Sequence, residues 1–199
     1  MQTVSNVIQL MHLALLPVLA KASIVVDATA GNGYDTLFIA EHTSQSAQIY
    51  AFDVQPAALA NTKVRTAEYA ERIHYLLCSH ENIEREVSGK IDVCMFNLGY
   101  LPGAGHEAAT RTGSTRKALE SVLAKLNVHG VCVLVVYPGH PEGKLEADML
   151  RDVVEKLPQR ELTAGCYRLS NHKQTAPYAY LIERVKAGET TGKKQKKRI

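Results

Sequence analysis

Short β-branched runs alternate with helix-forming stretches along almost the whole chain, and this alternation limits the fold more than any other feature. Residues 24–26, 48–53, 73–77, 91–97 and 130–137 are apolar runs. Runs of this kind suit parallel strands buried on both faces. Helical patterns lie between them at 35–40, 57–70, 80–87, 114–126 and 144–156. Pro56 suits the first turn of one helix, and Ser114 is a plausible cap for another. An amphipathic helix comes first, over residues 2–20, with Val4, Ile8, Met11 and Leu15 near helical spacing. Pro17 predicts its end, because proline lacks the N–H a helix needs. Two closing strands, 162–169 and 176–185, have no helical pattern between them and can pair antiparallel. The expected fold is α/β: a doubly wound, mostly parallel seven-stranded sheet with an antiparallel final strand.

With 199 residues, 46% of them hydrophobic, the chain can build one substantial core. We expect a single domain over residues 1–185 and a basic, disordered tail over 186–199. That tail carries six Lys or Arg and one Glu, whereas the rest of the chain is slightly acidic. It reads either as a solvated end or as an arm that attracts phosphate. No apolar run reaches the roughly 20 residues a membrane span requires. Residues 13–20 come nearest, but they contain Pro17 and lack the features of a signal peptide. The expectation is a cytoplasmic protein with no membrane contact. Cys78, Cys94, Cys132 and Cys166 are widely spaced, with no C-x-x-C pair. Buried free thiols are expected rather than a zinc site, and no metal is expected.

An open parallel sheet binds ligands beyond the carboxyl ends of its strands. The unusual residues collect at that edge: 27–33, 53–55, 78–80, 97–100 and 137–140. The first of these is Asp27-Ala28-Thr29-Ala30-Gly31-Asn32-Gly33, between a strand and a helix. Glycine lets such a turn bend sharply and approach a ligand. Asp53 ends the next strand, where a carboxylate can accept two hydrogen bonds from a ribose diol. The third glycine of a dinucleotide fingerprint would fall at position 36, which is Thr, and the loop has no phosphate-binding Lys. A nucleoside cofactor other than NAD or ATP is the expectation.

These residues resemble the first motif of class I S-adenosylmethionine-dependent methyltransferases, D-x-x-x-G-x-G, at Asp27, Gly31 and Gly33, with their second acidic position at Asp53. DATAGNGYDTLFIA, FDVQ, FNLGYLPG and VVYPGHPEGK, in that order, are similar to a small bacterial rRNA methylase family over about residues 4–184. Its characterised members resemble tRNA methyltransferases acting on 5-aminomethyl-2-thiouridine at the wobble position. The resemblance implies S-adenosyl-L-methionine as cofactor, the tRNA anticodon loop as partner, and a homodimer. It places cofactor contacts at Asp27, Ala30, Gly31, Asn32, Gly33, Asp35, Thr36, Asp53, Gln55, Ser79, His80 and Asn97.

Asn97-Leu98-Gly99-Tyr100 stands where amino-methylating enzymes carry N-P-P-Y. By that analogy, Asn97 and the Leu98 carbonyl accept hydrogen bonds from an amino group, Gly99 gives the turn, and Tyr100 packs on the base. Both prolines are replaced here, so a simple strand end with a core tyrosine stays open. Tyr137 is a candidate for orienting substrate or cofactor. His140 is a candidate general base, with capping of the next helix as its alternative. His106, Arg111 and Arg116 are candidate phosphate contacts. An acceptor on rRNA, protein or a small amine, and a non-catalytic cofactor-binding adaptor, remain alternatives at this point.

Overall fold

A computed structural model of the chain describes residues 6–99 and 112–187. Its elements, in order, are α1 (Val7–Leu19), β1 (Ile24–Asp27), α2 (Tyr34–His42), β2 (Gln48–Asp53), α3 (Pro56–Arg65), β3 (Ile73–Leu77), α4 (Ile83–Glu86), β4 (Ile91–Leu98), α5 (Thr112–Lys125), β5 (Leu126–Val136), α6 (Pro141–Glu155), β6 (Leu162–Tyr167) and β7 (Tyr178–Arg184). The described strands form one seven-stranded sheet in the order β3-β2-β1-β4-β5-β7-β6. The first five are parallel neighbours; β7 runs antiparallel to both β5 and β6. This is the expected doubly wound α/β fold. No helix among the described residues is long and apolar enough to cross a membrane.

Successive strand residues supply opposite faces of the sheet. Val25, Ile49, Val93, Met95, Val133 and Val135 pack with α1, α2 and α3 on one face. Val26, Phe52, Cys94, Phe96, Cys132 and Leu134 pack with α4, α5 and α6 on the other. Side chains buried on both faces explain why the strands read as continuous apolar runs. Cys94 and Cys132 are buried free thiols as expected, but Cys78 is only half-buried and Cys166 is exposed on edge strand β6.

Several boundaries differ from the sequence reading. Helix α1 starts at Val7, where the Asn6 side chain accepts from Gln9 N (3.1 Å), and runs through Pro17 to Leu19. The proline falls in the last turn, with Leu15 and Leu19 fully buried around it. Core packing there outweighs the missing hydrogen bond. Helix α3 stops at Arg65, and a 3₁₀ segment covers Ala67–Arg72. The Thr62 and Thr66 hydroxyls bond back to the carbonyls of Ala58 and Thr62, a pattern that weakens a helix. Residues 80–82 are also 3₁₀ rather than α. Ser114 lies inside the first turn of α5, which begins at Thr112, so it is not the cap.

The turn after β1 is fixed by a carboxyl group with no exposure. Asp27 Oδ2 accepts from Thr36 Oγ1 (2.5 Å) and Oδ1 accepts from Thr29 N (3.1 Å). Burial, helped by the nearby charge of Asp35, raises its pKa from 3.8 to about 7. The folded chain therefore keeps a proton on Asp27 that the unfolded chain releases near pH 4. This group's stabilisation is full in acid and is lost as pH rises through about 7. For the Asp27→Asn variant, the unfolding free energy of the natural protein minus that of the variant should fall by ~4 kcal/mol between pH 4 and pH 8. Urea titrations across that range check it; a constant difference would contradict the buried-proton account.

Candidate active site at the carboxyl ends of the strands

A cleft of about 1160 Å³ opens where β1, β2, β3 and β4 end. Strand order reverses between β1 and β4, so this is the switch point at which such sheets bind ligands. Ala30, Gly31, Asn32, Asp35, Asp53, Gln55, Ser79, His80, Asn97, Gly99 and Tyr137 line it, together with residues of α1. Residues separated by more than 100 positions in sequence thus share one wall.

The glycine turn forms its floor. Gly31 and Gly33 have φ of 54° and 80°, in the left-handed region that favours glycine. A Cβ at Gly33 would stand 2.8 Å from Thr62 Cα, so both conformation and space demand glycine there. The turn is tied to the neighbouring strand by Asp53, whose Oδ2 accepts from Gly31 N (2.9 Å) and Oδ1 from Gln55 N (2.8 Å). Each carboxylate oxygen retains a further lone pair for a ligand hydroxyl. Arg65 donates to Asn32 O (2.7 Å) and lies 3.7 Å over the Tyr34 ring, which stiffens the outer rim.

His80 forms the far wall. Its Nδ1 lies 3.1 Å from Ala28 O, and a carbonyl only accepts, so Nδ1 carries the hydrogen. Nε2 is then an acceptor; it is buried and has no partner among the described residues. Burial also lowers the pKa of His80, which keeps the ring neutral. A buried acceptor without a donor marks a place where a ligand N–H belongs. These acceptors therefore suit an adenosine-type group: Asp53 for the ribose hydroxyls and His80 for an exocyclic amine, with the glycines allowing close approach.

At the other end of the cleft, Asn97 closes β4. Its backbone N donates to Thr29 Oγ1 (2.8 Å) and its Nδ2 to Asp35 Oδ2 (3.0 Å). Asp35 Oδ1 lies 2.8 Å from His12 Nε2. Burial and the Asp35 charge push the Tyr137 hydroxyl up to about 12, so it is a neutral donor and cannot serve as a base near pH 7.

Other candidate residues take different positions. Asp27 and Thr36 are fully buried beneath the turn, so their part is to hold it rather than touch a ligand. Gly33 is packed on Thr62, and the Leu98 side chain is buried in the core. His140 is not among the residues lining the cleft. It caps α6, with Nδ1 accepting from Gly143 N (3.1 Å), which is the capping alternative weighed from the sequence. Arg116 sits on α5 near Glu120 and Asp152 (3.8 and 3.7 Å) and does not line the cleft. Tyr100, His106 and Arg111 lie outside the described residues, as does the tail beyond residue 187.

The sequence reading missed the contribution of α1. Asn6, Ile8, Gln9 and His12 all line the cleft. His12 stacks on Phe38, with ring centroids 3.8 Å apart and planes 4° from parallel. The available signal was a histidine on a helix whose only other polar residue is Gln9.

Comparison with known proteins agrees with this geometry. Residues 49–183 match the sequence profile of the family described as "Putative rRNA methylase". A curated relative, the chloroplastic tRNA (mnm(5)s(2)U34)-methyltransferase of Arabidopsis thaliana, is 28% identical over 185 residues, covering 87% of this chain and 68% of that protein. A "putative methyltransferase" of Streptococcus mutans, solved in complex with SAH, superposes with a TM-score of 0.81 at 33% identity, over 90% of this chain and 98% of that one. A "putative rRNA-methylase" of Clostridium thermocellum gives a TM-score of 0.86 at 28% identity, over 90% and 97%. The sheet order, the glycine turn, Asp53 and the profile match together show that this chain belongs to the rRNA methylase family and has the class I methyltransferase fold.

Proposed function

We propose that the chain is an S-adenosyl-L-methionine-dependent RNA methyltransferase that methylates the primary amine of 5-aminomethyl-uridine, 2-thiolated or not, at the wobble position of tRNA. The observation that carries this reading is the division of the cleft. Asp53 ends β2 and Asn97 stands near the end of β4, on opposite sides of β1, so a nucleoside held at Asp53 and the Gly31 turn leaves Asn97 for the acceptor. The name of the Arabidopsis relative supports the choice of acceptor, and the SAH complex of the Streptococcus protein supports the choice of cofactor.

When bound, S-adenosylmethionine supplies an activated methyl group on a sulfonium. The chain's own residues do the rest. Asp53 and the glycine turn orient the nucleoside, and His80 offers its buried acceptor to the adenine amine. Asn97 holds the acceptor nitrogen by accepting one of its hydrogens. Alignment of this kind can supply several kcal/mol, on the order of 7 at best. The Tyr137 ring packs beside Gly99 and lines the same cleft. An amine attacks only through a free lone pair, so it must shed its extra proton before transfer. That proton passes to water at the open mouth of the cleft, and His140 caps α6 through Nδ1.

The direct test is mass spectrometry of tRNA nucleosides from a strain lacking the gene. Aminomethyl-uridines should accumulate and methylaminomethyl-uridines should vanish; an unchanged nucleoside profile would move the acceptor elsewhere. Asp53→Ala should weaken S-adenosylmethionine binding at least tenfold by calorimetry, because it removes the ribose contact and loosens the Gly31 tie. Equal affinity would refute the assigned nucleoside end. Asn97→Ala should leave cofactor affinity within about threefold while lowering kcat by roughly 100-fold. A pure rise in KM would instead give Asn97 a role in ground-state binding alone.

A further inference from the structure

Asp35 hydrogen-bonds to side chains from two other elements, His12 of α1 and Asn97 of β4. A carboxylate can only accept hydrogen bonds. Asp35 Oδ2 is 3.0 Å from the Asn97 amide nitrogen, so that amide must turn its NH₂ toward Asp35. The other half of the amide, the carbonyl oxygen, is then what Asn97 offers on the cleft wall. An amide with no such neighbour can rotate half a turn and present either group. Asp35 Oδ1 is 2.8 Å from His12 Nε2, so the same logic places the hydrogen of His12 on Nε2. His12 is itself held by stacking on Phe38. Asp35 stands in the first turn of α2, where a carboxylate is favoured by the helix N-terminus, and it is nearly buried. Three elements (α1, α2 and β4) thus meet in one polar chain with a defined direction: His12 donates to Asp35, and Asn97 donates to Asp35.

We propose that Asp35 is a positioning residue for methyl transfer: it clamps the Asn97 carboxamide so that its carbonyl oxygen faces the acceptor's N–H, and His12 from α1 holds Asp35 in place. The clamp deepens the reading given above and rests on it for the identity of the acceptor. Its effect is to make the site select an acceptor that donates a hydrogen, such as a primary amine. A flipped amide would instead donate its NH₂ to the amine's lone pair and so occupy the electrons that must attack the methyl group.

A polarity-swap cycle tests the clamp. In Asp35→Asn, either one amide flips or His12 moves its hydrogen to Nδ1 to accept the new NH₂; in both cases the clamp loses its charge, and kcat should fall at least 30-fold. In Asn97→Asp, two carboxylates face each other and kcat should fall by a similar factor. The double variant D35N/N97D restores every pairing. Position 12 donates to the new amide carbonyl at position 35, and the new NH₂ there donates to the carboxylate at position 97. The second oxygen of that carboxylate faces the acceptor. The double variant should recover at least tenfold over either single variant. His12→Gln should retain more activity than His12→Ala. Thermal melts of each variant separate loss of fold from loss of function. A double variant no better than the singles, with all of them folded, overturns the clamp.

A second readout needs no substrate. Long-range ¹H–¹⁵N NMR of the full chain should show His12 as the Nε2–H tautomer, and the Asn97 side-chain amide as one slowly exchanging pair. Both signatures should be lost in Asp35→Ala. An Nδ1–H tautomer in the natural protein would overturn the proposal. If the natural protein turns over no aminomethyl-uridine tRNA at all, the assigned acceptor is wrong, while the NMR result still decides whether Asp35 clamps Asn97.

Discussion

Two aspartates make the ligand end of this sheet possible. A glycine turn with two left-handed residues has a costly backbone, and it persists only where its surroundings fix it. Asp27 fixes it from below through Thr29 and Thr36, and Asp53 fixes it from the side through Gly31. Each carboxyl group satisfies backbone or hydroxyl donors that would otherwise have to turn toward solvent. The two differ in environment, and this divides their work. Asp27 is fully buried and holds its proton to an unusually high pH, so it is a structural fastening. Asp53 is only partly buried at the cleft wall and has lone pairs left over for a ligand.

Much of the architecture is written in the order of elements. The β-branched runs around Val25, Ile49 and Val133 give strands because each is buried on both faces, and tertiary burial then agrees with local preference. The antiparallel end is legible because residues 170–175 leave no room for a crossover helix. What the sequence hides is set by competition. Pro17 suggests the end of a helix, yet Leu19 is worth more in the core than a missing hydrogen bond costs. The threonines Thr62 and Thr66 shorten α3 by bonding to its own carbonyls, although the alanines around them favour a longer helix.

The site is legible to a similar degree, and for related reasons. Gly31, Asp53, His80 and Asn97 follow strands and so announce themselves by position. His12 does not, because α1 precedes the sheet and carries no motif of its own. Its relevance appears only when the helix packs beside α2 and brings an imidazole to Asp35. Spacing separates His140 from the site no better: a histidine after Pro-Gly at a strand end suits catalysis and capping equally. The bond to Gly143 N shows that the fold uses its Nδ1 to cap α6.

The sheet is also closed out of order. The edge strand β6 leaves the ribosome before β7, yet β7 lies between β6 and β5. Until Arg184 has been synthesised, the nascent chain must carry β6 with no neighbour and β5 with one bare flank. Unpaired strand edges of this kind invite association with other chains. A chain that has not yet placed β7 therefore leaves one edge of β5 unpaired and the apolar centre of the sheet less covered.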